Sequence, residues 1–174
     1  MLLKKDFSMP IPAEVLTALN ITQEALAKHL IDDTRSVYST MLGFDLMHLP
    51  LEVDPMEHFK DCVSAMVGLA GTYNGLISIH QPCSLAMKLT EAMLDMEVSE
   101  IDQDVFDALG EIANMVAGNV KQHLSKGGLD VRLSTPSVAT GSDYIICTKQ
   151  ANSMNLLFDL DEEWILVSIV LEMD

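Results

Sequence analysis

Residues 102–128 read DQDVFDALGEIANMVAGNVKQHLSKGG, and this stretch decides the reading of the whole chain. At about 100° per residue, with Asp107 taken as zero, Glu111 falls at about 40°, Asn114 at about −20°, Gly118 at about 20° and Lys121 at about −40°. Leu109, Ile112, Val116 and Val120 cluster about 180° away, with Ala113 beside them. The segment therefore predicts a helix from Asp102 or Gln103 to Leu124, ended by Lys126-Gly127-Gly128. Its core face and its polar stripe lie on opposite sides. Leu109, Ile112, Val116 and Val120 should be inaccessible, and Asp107, Glu111 and Asn114 exposed.

The stripe has an ordinary reading as a solvated face, with acids near the helix start favoured by the helix dipole. That reading covers Asp102, Asp104 and Asp107 better than it covers the mid-helix residues. Asn114 is a poor helix former, and Gly118 costs about 1 kcal/mol relative to alanine. Adjacent acids at i and i+4 repel each other slightly. Local propensity is thus violated along one exposed stripe, and function is expected where sequence breaks its own local rules.

Working outward, a second long helix is predicted from about Thr22 to Leu42. Thr22 caps it, Leu26, Leu30, Val37 and Met41 face inward, and Gly43 stops it. Residues 1–20, with Pro10 and Pro12, read as an irregular lead-in, and residues 44–61 as a connection. A hairpin follows, Val63–Ala70 with Leu76–His80, and Asn74-Gly75 should supply the positive φ of its turn. The glycines at 68, 71 and 75 lack the Gly-Lys-Ser/Thr of a phosphate-binding loop, so a hairpin accounts for them better. Pro82 and Ser84 open a helix with Leu85, Leu89, Met93 and Leu94 inside. After a loop containing Pro136, Tyr144–Lys149, Met154–Phe158 and Trp164–Leu171 read as an antiparallel meander, with turns at Ala151-Asn152 and at residues 159–163. Trp164–Leu171 is apolar enough to be a central strand or an edge covered by a partner.

The order repeats a long helix followed by antiparallel strands, a weak internal duplication. The fold class is α+β, long helices packed on an antiparallel sheet. One domain over residues 21–174 is expected, its halves about 21–95 and 102–174, preceded by the lead-in over 1–20.

Composition narrows the function. The chain has 174 residues, 49% of them hydrophobic, so it can bury a core. A net charge of −16 repels phosphate backbones and disfavours nucleic acid. No basic amphipathic segment suits a membrane surface, no apolar run approaches the roughly 20 residues of a bilayer span, and no signal peptide is read at the start. A cytoplasmic location is expected. Cys62, Cys83 and Cys147 are widely spaced and read as reduced thiols. The histidines lack ligand spacing, so no metal site is expected.

The run Asp107-Ala-Leu-Gly-Glu111-Ile-Ala-Asn114-Met-Val-Ala-Gly118 resembles the signature of the CheC, CheX and FliY chemotaxis phosphatases. That signature is Asp or Ser, three residues, Glu, two residues, Asn, and a distant proline; here Pro136 stands 22 residues after Asn114. The resemblance covers roughly residues 20–174. The first long helix reads Glu24-Ala-Leu-Ala27 and has no second Glu-x-x-Asn, which makes CheX the closer match. The resemblance implies a CheC-like fold and hydrolysis of the aspartyl-phosphate of a CheY-type response regulator. It implies Glu111 and Asn114 as catalytic residues, and Asp107, Glu111, Gly118 and Lys121 as contacts to the partner. It implies no cofactor of the chain's own, with Mg²⁺ held by the regulator, and a homodimer. A binding module that docks a regulator or a flagellar-switch component without hydrolysis is the alternative.

Overall fold

The computed structural model describes residues 11–126, 128–148 and 153–173. The first long helix, α2, runs Gln23–Val37, and the Thr22 hydroxyl accepts the Ala25 N–H at 3.2 Å, as the capping residue type predicts. Leu26, Leu30 and Val37 are buried. Beyond Val37 the chain continues as a wider π-helical turn, Tyr38–Leu42, and Gly43 ends it at φ 73°. The wider turn shifts the inward positions. Tyr38 and Leu42 enter the core, and Met41, expected inside, is 51% exposed. The lead-in is not irregular throughout. Ala13–Leu19 form a helix, α1, whose Val15 and Leu16 join the core with Ile11. Pro12 precedes that helix, a place where its fixed φ and missing N–H cost nothing.

The sheet grows from the hairpin of β3 (Cys62–Gly71) and β4 (Asn74–Pro82). The positive φ lies at Gly71, at 129°, and not at Asn74-Gly75. Gly75 sits in the strand for a different reason: a Cβ there would lie 1.9 Å from the Val170 carbonyl oxygen on the neighbouring strand. A second hairpin pairs β8 (Met154–Leu160) with β9 (Glu163–Glu172), and its tight turn places Asp161 and Glu162 at φ 52° and 69°. β9 pairs with β4 on its other side. Trp164–Leu171 is therefore central, and its apolar character needs no covering partner.

Four strands escaped the sequence reading, one of them the short strand His58–Phe59 in the expected connection. β1 (Met47–Leu49) lies in the expected connection and pairs with β8 at one edge. β5 (Val131–Leu133) and β6 (Ser137–Gly141), in the expected loop around Pro136, both pair with β3 at the other. The predicted three-stranded meander is two-stranded. Tyr144–Ile145, β7, instead pairs with β2 (His58–Phe59) in a separate small sheet. The expected turn at Ala151-Asn152 lies outside the described residues.

Helix α3 (Cys83–Leu94) and helix α4 (Gln103–Leu124) complete the helical layer, with α4 touching both α2 and α3. Leu85 and Leu89 are buried, Met93 is half-buried, and Leu94, expected inside, is exposed in the last turn before Asp95 leaves the helix at φ 53°. One sheet face meets the helices through Val63, Val67, Ile77, Ile79, Val167 and Ile169, all buried. The fold is thus the expected α+β arrangement.

The opposite face carries a buried polar layer. His80 places Nδ1 2.6 Å from the Ser64 hydroxyl and Nε2 3.0 Å from the Ser78 hydroxyl, and Ser64 also meets the Tyr144 hydroxyl at 2.8 Å. Phe59 from β2 stacks on the imidazole with ring centres 4.3 Å apart. Burial lowers the His80 pKa to about 4, because a charged ring would lose its hydration there. The folded state therefore resists protonation that the unfolded state accepts near pH 6.5. Stability is full above that pH and is lost as pH falls toward 4, by about 2 to 3 kcal/mol at pH 4.5. Urea titrations at pH 7 and pH 4.5 should show this loss. His80→Gln, which keeps a donor and an acceptor but does not titrate, should flatten the slope between those pH values; an unchanged slope would assign it elsewhere.

Candidate functional site on helix α4

Helix α4 starts where its sequence predicts. The Asp102 carboxylate caps it by accepting the N–H groups of Asp104 (3.1 Å) and Val105 (3.3 Å). Its C-terminal residue is Leu124, and Gly128 follows at φ 83° with its N–H on the Ser125 carbonyl. Gly127, part of the expected stop, lies outside the described residues. Leu109, Ile112, Val116 and Val120 are buried as expected, together with Val105, Ala108, Ala113 and Ala117.

The polar stripe emerges on the other side. Asp107 and Glu111 are exposed, and Asn114, Gly118 and Lys121 are half-buried. Asn114, expected exposed, is instead half-buried. It stands at the surface but partly shaded, on a helix flanked by both α2 and α3. The Gln103 side-chain amide donates to Asp107 Oδ1 at 2.7 Å, one turn earlier on the same stripe. This bond holds one carboxylate oxygen of Asp107 in place.

Pro136, distant in sequence, is brought to the same helix. A Cβ on Gly110 would lie 3.4 Å from Pro136 Cγ, 3.5 Å from its Cβ and 3.7 Å from Val138 Cγ2. Pro136 and Val138 thus lie over Gly110 with just enough room for a methyl group between helix and edge. Beside them opens a groove of about 390 Å³, lined by Phe106, Gly110, Pro136 and Val138 and by the polar Gln103, Asp107 and Glu111. The sequence reading passed over Gln103, Phe106, Gly110 and Val138. Gly110 did carry a signal, since a mid-helix glycine is costly and needs a packing or functional reason. Gly118 differs: a Cβ there would meet nothing within 4 Å. Among the described residues, no contact explains its absent side chain.

Among the described residues, no group of three or more His, Cys, Asp or Glu is placed to hold a metal ion, and no helix is long and apolar enough to cross a membrane. What the stripe offers is an uncharged amide at Asn114, carboxylates at Asp107 and Glu111 and a side-chain-free turn at Gly118. Such a surface can orient a water and pair with cations.

The class of protein is therefore an α+β fold that presents an acid-and-amide stripe on one central helix. Residues 63–159 match the family model described as "Chemotaxis phosphatase CheX", and the chain belongs to that family. It is 30% identical over 79 residues to the CheY-P phosphatase CheX of Thermotoga maritima, an alignment covering 45% of this chain and 51% of that protein. The chain thus spans about half the length of the curated relative it matches. The crystal structure of a chemotaxis protein CheX from Desulfovibrio desulfuricans superposes with a TM-score of 0.74 at 33% identity, covering 84% of this chain and 99% of that one. The CheX–CheY–BeF₃–Mg²⁺ complex from Borrelia burgdorferi shares the fold, with a TM-score of 0.70 at 24% identity over 84% of this chain and 97% of that one.

The two helix glycines make different predictions for stability. Gly118→Ala should stabilise the fold by about 1 kcal/mol, because only the helix propensity changes. Gly110→Ala should gain as much or more, because the new methyl would sit at ordinary van der Waals distance from Pro136 and Val138 and add buried apolar contact. Thermal melts of both variants check this order. A smaller gain at Gly110 would mean that Pro136 holds the helix too closely for a side chain.

Proposed function

We propose that this chain hydrolyses the aspartyl-phosphate of a CheY-type response regulator in chemotaxis signalling. The observation that carries the reading is the placement of Asp107, Glu111, Asn114 and Gly118 along one accessible stripe of α4, set by a helix whose other face is core. The name of the Thermotoga relative, CheY-P phosphatase CheX, supports the same activity.

Hydrolysis of an acyl phosphate needs a water in line with the scissile phosphorus–oxygen bond, and the rate comes from positioning and electrostatics. In this reading the Asn114 carbonyl oxygen accepts a hydrogen bond from that water while its NH₂ donates to the phosphoryl group. Glu111, nearly one helical turn earlier, pairs with a lysine of the regulator's active site and holds the complex in register. Asp107 and Lys121 extend the contact along the stripe, and the bare turn at Gly118 lets the regulator's main chain approach. The phosphatase unit is residues 21–174, with α1 added to its core. Mg²⁺ belongs to the acidic pocket of the regulator, and both proteins meet in the cytoplasm.

The same surface could dock a regulator without accelerating hydrolysis, and two variants separate the readings. Asn114→Ala should keep the affinity for a phosphorylated receiver domain while the single-turnover rate at saturation falls about 10- to 1000-fold. Glu111→Ala should lower both, because the regulator's lysine loses its partner. Full activity in Asn114→Ala would sink the mechanism. Binding by the wild type without faster phosphate loss would favour the docking module.

We further propose a homodimer, formed through the outer strands of the sheet, since β9 is internal. Light scattering at micromolar concentration should return twice the chain mass of 19.1 kDa, and a monomer would count against it.

A further inference from the structure

We propose that the groove between α4 and the β5–β6 edge receives a long cationic side chain, lysine or arginine, of the docked regulator, at a position other than the lysine assigned to Glu111. This rests on the phosphatase reading and adds to it a specificity pocket built by Asp107, Phe106, Gly110, Pro136 and Val138.

The lining has two chemistries in one depression. Phe106, Pro136 and Val138 offer apolar surface, while Asp107 and Glu111 offer carboxylates beside it. A lysine or arginine has the matching shape, an aliphatic stem that gains from apolar contact and a charged head that stays at the rim. An uncharged apolar side chain would fill the groove but leave Asp107 without a counter-charge, Glu111 having its own lysine. An acidic one would be repelled by them and by the −16 charge of the chain. Arginine has a further fit, because its guanidinium can lie on the Phe106 ring while it bonds Asp107.

The groove is held in shape before any partner arrives. Gln103 fixes one oxygen of Asp107 at 2.7 Å. On the sheet side, the Ser134 N–H donates to the Gly68 carbonyl at 2.9 Å, and its hydroxyl accepts the Gly68 N–H at 2.8 Å. The same hydroxyl donates to the Thr135 carbonyl at 2.8 Å. Ser134 thus ties the bend between β5 and β6 to β3, two residues before Pro136. Pro136 in turn faces Gly110, so the wall opposite Asp107 is anchored to the sheet and abuts the helix. A pocket fixed on both sides spends little ordering entropy on binding.

The test measures single-turnover dephosphorylation of a phosphorylated receiver domain against concentration of the chain. It compares the wild type, Asp107→Asn and Asp107→Lys, after thermal melts confirm folding. Asp107→Asn should raise the half-saturating concentration about 3- to 10-fold and Asp107→Lys more, the effect falling on affinity rather than on the rate at saturation. Alanine substitution of surface lysines and arginines of the receiver should then reveal one whose effect disappears in the Asp107→Asn background while persisting in Glu111→Ala. Half-saturation unchanged by both Asp107 variants, or no receiver cation coupled to Asp107, overturns the groove assignment and leaves the phosphatase reading standing. A wild type that neither binds nor dephosphorylates any receiver overturns both.

Discussion

The rotational phase of α4 is the constraint on which the rest depends. Val105, Leu109, Ile112, Val116 and Val120 are all within 2% of full burial. Each such side chain is worth about 1.5 to 3 kcal/mol when removed from water. Turning the helix by one residue would swing the whole row by about 100° and bring the polar stripe toward the core. The apolar face thus aims Asp107, Glu111 and Asn114 as a set, with no dedicated contact needed for each. A site built this way sits on a rigid element, where positioning is tighter than a loop provides.

The helix also meets the sheet edge, and two residues far apart in sequence face each other there. Gly110 leaves the helix bare at this point, and Pro136 faces it from the sheet side, 3.4 Å from where a Cβ would stand. Proline suits the edge because it donates no hydrogen bond, so its place between β5 and β6 costs the ladder nothing. Ser134 restores order beside it by engaging both backbone groups of Gly68. The spacing between Asn114 and Pro136 is therefore the length of chain needed to finish α4, turn, and return along the edge of the sheet. A long-range sequence interval becomes a contact within a single groove.

The parts that sequence made legible are those governed by local periodicity and local caps. Helix α4 shows both, with a strong apolar repeat and Asp102 at its start, and α2 likewise begins at Thr22. The β3–β4 and β8–β9 hairpins announce themselves by apolar runs separated by turn residues. What stayed hidden was decided by neighbours distant in sequence. β5 and β6 are too short to show a pattern, and only pairing with β3 makes them strands. β7 reads as part of a meander but is claimed by β2. Asn74-Gly75 looks like a turn pair, yet Gly75 is small to make room for β9. Met41 has helical spacing, yet the π turn rotates it outward. At the site, the stripe was readable from one helix, whereas the groove needed a strand that carried no signal of its own.

The two faces of the sheet divide the chemistry between them. On the helical face, the proposed catalytic group is an amide, which does not titrate in water's accessible range and needs no tuned pKa. On the other face, a neutral imidazole is locked between Ser64 and Ser78 under Phe59, with its pKa pushed down to about 4. A buried histidine often marks catalysis, but here both ring nitrogens are already engaged by serine hydroxyls, and its neutrality stabilises packing rather than serving a reaction. Acid sensitivity of the fold and function of the stripe are thus separated by the thickness of one sheet. They share the β3–β4 hairpin, which carries Ser64, Ser78 and His80 on one side, packs on α4 from the other and turns Val63, Val67, Ile77 and Ile79 into the core. Loss of the polar layer would therefore reach the stripe through the loosening of that hairpin and not through any change of charge at Asn114.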